Sequence, residues 1–384
     1  MKLFSDYPGR PVEIKKGVEF DDGKAIIDLN GKKNVIDSSH LFFRVKATID
    51  GLLEDLAPGS ILADKFADEF LPEYEKAIAN DSKRPNCGTV FYYPTRGDLV
   101  WYAPKFWHNI ALLSRNSLLI RDKKQVVTWE QQRELFKKVV VGVAGASVGK
   151  NAFLRIIDTL QPEAIKIADP RAYKDTNSSR TTLAYWEIGE NKAVIAARQA
   201  HANNPYINIS VFSDGINAQN ETNFINGLTY LVEETDDPDT KIRLRILARR
   251  HRIPVFMISD IGIATQIDFM DYQNDPGLPL SVGVRDDVLL AAQESWHKDR
   301  ANRELFFKFA FKLTGDDWKN VPEFHDLVLK KIESPFTGGV PQLGVAAHKG
   351  ACEVALMIAM KELGYKIPQR SFFNPRSATG ILGE

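Results

Sequence analysis

The stretch VVVGVAGASVGKN, residues 139–151, decides how the chain is to be interpreted. A run of β-branched residues leads into a turn of small residues and then into a helical pattern. The Walker loop has the pattern G-x-x-x-x-G-K-S/T, and Gly149 and Lys150 fit its second half. However, Ala144 stands where the first glycine is expected, and Asn151 stands at the hydroxyl position.

The dinucleotide-binding pattern G-x-G-x-x-G is an equally incomplete match. When it starts at Gly142, its other two glycines fall on Ala144 and Ser147. The turn nevertheless lies between a predicted buried strand and a predicted helix, where backbone N–H groups would face a bound phosphate. A strand-to-helix turn without any ligand is the alternative.

Composition narrows the classes of protein to consider. The chain has 384 residues, of which 44% are hydrophobic and 26% are charged, as in a globular protein of two or three domains. Lys plus Arg and Asp plus Glu both number 50, so neither nucleic acid nor a membrane surface is expected as a partner. Without a signal-peptide pattern or a long apolar run, the sequence predicts a soluble, cytoplasmic protein.

The pattern along the chain changes near residue 128. Residues 1–110 mix β-like runs, among them HLFFRVKATI at 40–49, with one helical stretch around 61–79. They predict an α+β accessory domain of unknown role. Strand-like and helix-like segments then alternate, which predicts an α/β fold for residues 111–384. We expect a Rossmann-like, doubly wound and mostly parallel sheet with a C-terminal helical extension.

Charged residues lie at the ends of the predicted strands. Asp169 follows the second strand, 20 residues after Gly149, where a carboxylate can accept hydrogen bonds from ribose hydroxyls. This position suits NAD and ATP equally. Arg180 and Lys192 follow, and Asp236 comes directly after a later strand. Taken singly these are typical solvated charges, but together they provide the cations for a triphosphate and a carboxylate for Mg²⁺.

Five elements occur in a fixed order: SRN at 114–116, Asp169, TNSSR at 176–180, GENK at 189–192 and TDD at 235–237. In this respect the sequence resembles the ubiquitin-activating-enzyme-like superfamily that includes ThiF, MoeB and HesA. The resemblance covers roughly residues 112–262 and is that of a divergent branch.

The resemblance implies an adenylyltransferase that works as a homodimer. The residues that it implies for binding ATP are Gly145, Gly149, Asp169, Asn177, Arg180 and Lys192. The residues that it implies for catalysis are Asp236, Arg180 and Arg115. Asp236 would bind Mg²⁺, and Arg115 would reach into the site of the neighbouring subunit.

The implied substrate is a carboxylate, usually the C-terminal glycine of a small ubiquitin-like or sulfur-carrier protein. Its attack on the α-phosphorus of ATP would expel pyrophosphate and leave an acyl-adenylate. Positioning and charge neutralisation would suffice for this step, without a protein nucleophile.

The sequence also departs from the family pattern. Ala144, Ala146 and Ser147 lie in or beside a loop that is usually richer in glycine, and Asp237 replaces the usual asparagine after Asp236. The paired C-x-x-C motifs of the family are missing, so no zinc is expected.

The two cysteines are not expected to form a thioester. Cys352 falls within an apolar helical pattern, which predicts a core residue, and nothing around Cys87 suggests an activated thiol. Two alternatives to the adenylyltransferase stay open. One is an NAD(P)-dependent oxidoreductase, and the other is a catalytically degenerate relative that serves as a binding protein.

Overall fold

The computed structural model describes residues 5–15, 18–21, 23–56, 60–79, 88–113, 120–121, 125–126, 129–315, 317–333, 343–374 and 381–382. The chain divides into two compact units. The large unit comprises Met1–Ser5, Leu135–Ala197 and Asn208–Glu384, and the small unit comprises Asp6–Glu134 and Arg198–Ile207. The accessory role of residues 1–110 stays a prediction.

The elements up to residue 136 are short. The strands are β1 (Val12–Glu13), β2 (Glu19–Asp21), β3 (Lys24–Leu29), β4 (Lys32–Asp37), β5 (Leu41–Phe43), β6 (Thr89–Tyr93), β7 (Asp98–Tyr102), β8 (Ile120–Arg121) and β9 (Gln125–Val126). The helices are α1 (Val45–Asp55), α2 (Ile61–Lys65), α3 (Leu71–Ala79), α4 (Lys105–Leu113) and α5 (Trp129–Phe136). The strands form sheets of the order β1-β6-β7-β5, β2-β3-β4 and β8-β9.

The predicted strand at residues 40–49 is wrong in its second half. The strand β5 ends at Phe43, and α1 begins at Val45. The buried residues Val45, Ile49 and Leu52 recur at the spacing of a helix face and belong to the core of the small unit. This buried stripe outweighs the strand preference of the aromatic residues Phe42 and Phe43 before it.

Strands and helices alternate from residue 140 to residue 261, as predicted, and the alternation ends there. The strands are β10 (Val140–Ala144), β11 (Ala164–Ala168), β12 (Asn208–Phe212), β13 (Tyr230–Glu233), β14 (Val255–Ile261), β15 (Ala264–Met270), β16 (Arg370–Phe373) and β17 (Ile381–Leu382). The helices are α6 (Gly149–Leu160), α7 (Lys192–Asn203), α8 (Glu221–Ile225), α9 (Pro238–Arg250), α10 (Asp286–Lys298), α11 (Arg303–Thr314), α12 (Pro322–Glu333) and α13 (Gly344–Glu362).

The large sheet confirms the predicted fold class. Its strand order is β12-β11-β10-β13-β14-β15-β16-β17, and the pairs from β12 through β14 are all parallel. The strands β14 to β17 pair antiparallel. The strand order reverses at β10, since β11 lies on one side of it and β13 on the other. Ligands of doubly wound sheets bind at such a switch point, outside the carboxyl ends of the strands.

Buried apolar positions explain why α6 and α13 lie together on this sheet. The buried residues of α6 include Phe153, Ile156 and Leu160, and α6 packs against α13. The core position predicted for Cys352 on α13 is wrong, because its side chain is exposed. The helix buries its opposite face, which includes Ala351.

Candidate functional site

The turn after β10 requires glycine at one position. Gly145 has φ +96°, and a Cβ added there would lie 2.4 Å from the carbonyl oxygen of Glu234, just past β13. The Gly145 N–H donates to the Ala168 carbonyl at 2.8 Å, and the Glu234 N–H donates to the Ala144 carbonyl at 2.7 Å. Because Gly145 has no side chain, the ends of three neighbouring strands can approach closely here.

Asp169 holds this turn in place from the end of β11. Its side chain is buried, and its Oδ2 accepts a hydrogen bond from the Ala146 N–H at 2.8 Å. Its Oδ1 accepts from the Arg171 N–H at 2.8 Å. The Tyr173 hydroxyl donates to the Ala146 carbonyl at 2.7 Å. The predicted ribose-binding carboxylate therefore also orders the loop that it borders.

A cleft of about 170 Å³ lies at the switch point. The lining residues used below are Gly145, Ser147, Asp169, Arg171, Glu234 and Asp236. Small-molecule pockets usually measure roughly 300–1,000 Å³. A ligand of that size would therefore extend beyond the cleft, over the edge of the sheet.

Lys192 brings a buried positive charge to this site from the start of α7. It is 5% exposed, and its ammonium lies 5.6 Å from the centre of the Tyr173 ring. Burial lowers its pKa, which the carboxylates of Asp169 and Asp236 partly oppose. In the part of the chain that the structure describes, this ammonium has no hydrogen-bond acceptor. Such a charge is costly to bury and would be stabilised by an anionic ligand.

Arg180 and Asn177 come from the loop that follows β11. The Asn177 side chain is buried, and its Oδ1 accepts a hydrogen bond from the Lys174 N–H at 2.9 Å. This bond closes the short 3₁₀ turn Asp175–Ser179. Arg180 follows that turn, and its Nε donates to the Ser147 hydroxyl at 3.2 Å. Asn177 thus shapes the loop, while Arg180 lies beside the glycine turn.

Asp236 and Asp237 lie past the end of β13 and differ in what they contact. Asp236 is 68% exposed and pairs with Arg171 at 3.1 Å. An exposed pair of this kind contributes little to stability, so the Asp236 carboxylate is available to a ligand. Asp237 accepts a hydrogen bond from the Thr240 N–H at 3.1 Å and caps α9. Asp237, the carboxylate that departs from the family pattern, therefore stabilises the first turn of α9.

Gly149 and Lys150 open α6 and are both buried. A Cβ added to Gly149 would lie 3.1 Å from the Val143 side chain, so this glycine allows α6 to pack closely on β10. The Lys150 ammonium donates to the Thr182 carbonyl and lies 5.3 Å from the centre of the Tyr173 ring. Burial lowers the pKa of Lys150 to about 8.

Comparison with known proteins assigns this region to a family. Residues 123–284 match the ThiF family. The chain contains a ThiF-family domain. The resemblance to the ThiF superfamily is thereby confirmed, and the matched range contains Gly145, Asp169, Lys192 and Asp236.

The individual proteins that resemble this chain are distant. The uncharacterized protein MT1398 of Mycobacterium tuberculosis is 30% identical over 251 residues, which are 62% of this chain and 32% of that protein. The chain thus spans about a third of the length of this relative. The similarity to the PaaA structure covers 83% of this chain and 94% of the PaaA chain, with 13% identity and a TM-score of 0.48. The similarity to the structure of E. coli MccB covers 95% of this chain and 91% of the MccB chain, with 13% identity and a TM-score of 0.47.

Two carboxyl groups of the ThiF-family domain were not predicted as site residues. Burial raises the pKa of Glu234 well above its usual value, and its Oε1 accepts a hydrogen bond from the Ile258 N–H at 2.6 Å. Burial also raises the pKa of Asp260, near the end of β14, to about 7, which the charge of Arg180 opposes. Within the described residues, the buried Oδ1 of Asp260 has no hydrogen-bond partner. The position of Asp260 beside a strand end, like that of Asp169, is the signal that could have identified it.

Some predictions stay untested. Arg115 and Cys87 lie outside the described residues. Among the residues that are described, no group of three or more His, Cys, Asp or Glu could hold a metal ion, so Mg²⁺ at Asp236 stays a prediction. In the same part of the chain, no helix has the length and apolar character needed to cross a membrane. The homodimer also stays a prediction.

Proposed function

We propose that this ThiF-family protein is an ATP-dependent adenylyltransferase that activates a carboxyl group. One observation carries the proposal: the buried Lys192 ammonium lies near Asp169 and Asp236 at the switch point, without a hydrogen-bond acceptor in the described part of the chain. A phosphate group would supply the missing acceptor. The match of this region to the ThiF family supports the same class of ligand.

The charges of Asp169 and Asp236, which line the cleft, and of Arg180 and Lys192, which do not, together fit a nucleoside triphosphate. Asp169 accepts one hydrogen bond on each oxygen, which leaves lone pairs for ribose hydroxyls. Arg180 and Lys192 would contact the phosphates. Asp236 would hold Mg²⁺, which when bound supplies further neutralisation of phosphate charge. The exposure of the Asp236 carboxylate, 68%, is compatible with such a role.

The proposed reaction joins a carboxylate oxygen to the α-phosphorus of ATP and breaks the bond to pyrophosphate. Arg180 and Lys192 would stabilise the negative charge on the transferring group. Arg180 is held by its hydrogen bond to the Ser147 hydroxyl, and Lys192 is held at the start of α7. The carboxylate that we propose as substrate is the C-terminus of a small ubiquitin-like or sulfur-carrier protein. The protein would work as a homodimer.

Nucleotide binding can be tested before the carrier is known. We expect ATP with Mg²⁺ to raise the thermal unfolding temperature, because a ligand at a hundred times its Kd adds about 2.7 kcal/mol of stability. Lys192→Met and Asp236→Asn should each reduce this shift. Asp287→Asn is the matched control for Asp236→Asn. The Asp287 side chain is 62% exposed and, like Asp236, forms an ion pair with an arginine, here Arg285 at 2.5 Å.

The other outcomes separate the alternatives. Stabilisation by NAD or NADP alone would refute the adenylyltransferase and favour an oxidoreductase. An absence of any shift would favour a degenerate binding protein. If ATP binds, pyrophosphate release should require a small carrier protein ending in Gly-Gly, and release that does not depend on the carrier would contradict the proposed substrate.

A further inference from the structure

A further cavity, which we call the helix groove, lies between α10 and α11 in the large unit. Its volume is about 540 Å³, within the usual range of small-molecule pockets, roughly 300–1,000 Å³. It shares no lining residue with the cleft at the switch point. Most of its lining is apolar: Val288, Ala291, Ala292, Leu305, Phe311 and Trp318.

The contacts of α10 explain why one of its faces is left to the helix groove. The Gln293 side chain donates to Asp239 Oδ1 of α9 at 2.7 Å, and His297 Nε2 lies 2.7 Å from the same oxygen. The residues of α10 that line the groove recur at helical spacing on the other side: Val288, Ala291, Ala292 and Ser295. Val288 is 42% exposed, so this apolar face is open to a ligand.

Aromatic rings form the opposite side of the helix groove. The Phe311 and Trp318 rings stack with their centres 4.1 Å apart and their planes at 17°. Trp318 also stacks on His325 of α12 at 5.3 Å and is only 7% exposed. Because these stacks hold the indole in place, the groove is formed before any ligand arrives.

The charges of the helix groove all have one sign. Lys308, Lys312 and Lys319 line it, and among the described residues no acidic side chain does so. Lys308 and Lys312 lie four residues apart on α11 and so share a helix face. Lys308 pairs with Glu304 at 2.6 Å, but both side chains are 63% exposed, and such a pair is weak.

We propose that the helix groove binds a small amphipathic anion, an aliphatic carboxylate whose chain lies on α10 and whose carboxylate lies beside Lys308 and Lys312. The apolar lining favours burial of methylene groups, and the lysines select the sign of the head group. A cavity of small-molecule size favours this ligand over a partner protein, which would need a surface of roughly 800 Å². The inference is independent of the proposed adenylyltransferase activity.

Three probes of equal chain length separate the effect of charge from that of apolar character. Isothermal titration calorimetry with decanoate, decanol and decylammonium should give the lowest Kd for decanoate. The Kd for decylammonium should be at least about fivefold higher, because its charge is repelled by the lysines. Raising the salt from about 50 to about 500 mM should weaken decanoate and leave decanol nearly unchanged.

Lysine variants test where the carboxylate lies. Lys308→Gln and Lys312→Gln should each raise the Kd of decanoate about twofold to fivefold, since each removes one exposed ion pair, and should leave the Kd of decanol unchanged. Lys298→Gln is the matched control and should change neither. Lys298 pairs with Glu294 four residues earlier at 3.0 Å, as Lys308 does with Glu304, but it does not line the groove.

A filled groove tests where the chain lies. Ala291 is exposed, so Ala291→Phe should fold normally, as circular dichroism checks, and its ring should occupy the groove. The Kd of decanoate should then rise by at least about tenfold, because the ligand clashes with the ring. Leu290→Phe is the control, since Leu290 is 39% exposed on the same helix but does not line the groove.

Each result decides the proposal. Equal affinity for decanoate and decylammonium would overturn the selection of an anion. Unchanged binding by Ala291→Phe would overturn the groove as the binding site. The proposal as a whole is overturned if decanoate does not bind, or if an acidic peptide binds at Lys308 and Lys312 in its place.

Discussion

Replacing Lys150 with methionine should stabilise the protein at neutral pH. Lys150 is fully buried, and burial lowers its pKa from the usual 10.5 to about 8. A difference of one pKa unit corresponds to about 1.4 kcal/mol, so keeping this ammonium charged in the folded chain at pH 7 costs about 3 kcal/mol. Methionine has a similar shape and no charge to desolvate.

The substitution also removes a favourable contact. The Lys150 ammonium donates to the Thr182 carbonyl, and losing that hydrogen bond costs about 1 kcal/mol. The net expectation is that Lys150→Met increases the free energy of unfolding by about 2 kcal/mol at pH 7.

The pH dependence of this gain tests its cause. Between pH 8 and pH 10.5 the unfolded chain binds the Lys150 proton more tightly than the folded chain does, so wild-type stability should rise with pH in this window. The advantage of Lys150→Met should therefore shrink from pH 7 to pH 9.5. Urea unfolding followed by circular dichroism at both pH values measures it.

The control is Lys298→Met, because Lys298 is 74% exposed and pairs with Glu294 at 3.0 Å. We expect this surface change to stay within about 0.5 kcal/mol of the wild type. If Lys150→Met is less stable than the wild type at pH 7, the ammonium makes a net favourable contribution to folding, and the reasoning from burial is refuted.

Three further predictions concern the same unit. Gly145→Ala should lower stability by at least about 2 kcal/mol in urea unfolding, because it adds a Cβ at positive φ against the Glu234 carbonyl; an unchanged midpoint would contradict the geometry of the turn. Glu233→Gln should lower it by about 3–5 kcal/mol, since Arg245, fully buried and paired with Glu233 at 3.1 Å, keeps a charge without its partner; a loss under 1 kcal/mol would refute this. Cys352 should react with a thiol reagent in the folded protein, as located by peptide mass spectrometry, and protection until unfolding would contradict its exposure.

The alternating part of the fold was predictable because its strands are buried on both faces. Such strands leave largely continuous apolar runs that turns interrupt, and β10 and β13 follow this pattern. The charged residues after these runs were predictable for the same reason, since parallel strands bring their carboxyl ends to one edge of the sheet. Asp169 and Asp236 could therefore be assigned to one site from sequence order.

The predictions that failed concern which face of a helix is buried. The apolar residues of α13 are not confined to one face: Val345 is 74% exposed and Leu356 is 44% exposed. Cys352 lies on this exposed side, so the apolar pattern around it gave no information about burial. In α1 the helical spacing of Val45 and Ile49 was present, but the aromatic run before it favoured a strand.

The two acidic residues with raised pKa values that sequence order did not reveal depend on contacts between strands. Glu234 acquires its raised pKa from burial, and its carboxyl group accepts a hydrogen bond from the Ile258 N–H of the neighbouring strand β14. Asp260 lies near the end of that same strand, in a segment where the family pattern places no expected charge. Only the packing of β13 beside β14 brings the two acidic groups together.

The loss of glycines from the loop can be reconciled with nucleotide binding. A loop with more glycine is free to adopt many conformations, and ordering it around a ligand costs entropy. Here the side chains of Asp169 and Tyr173 fix Ala146 on both its N–H and its carbonyl, while Gly145 remains where positive φ is needed. A loop ordered before the ligand arrives loses less entropy on binding. The departures from the family pattern therefore alter how the loop is held.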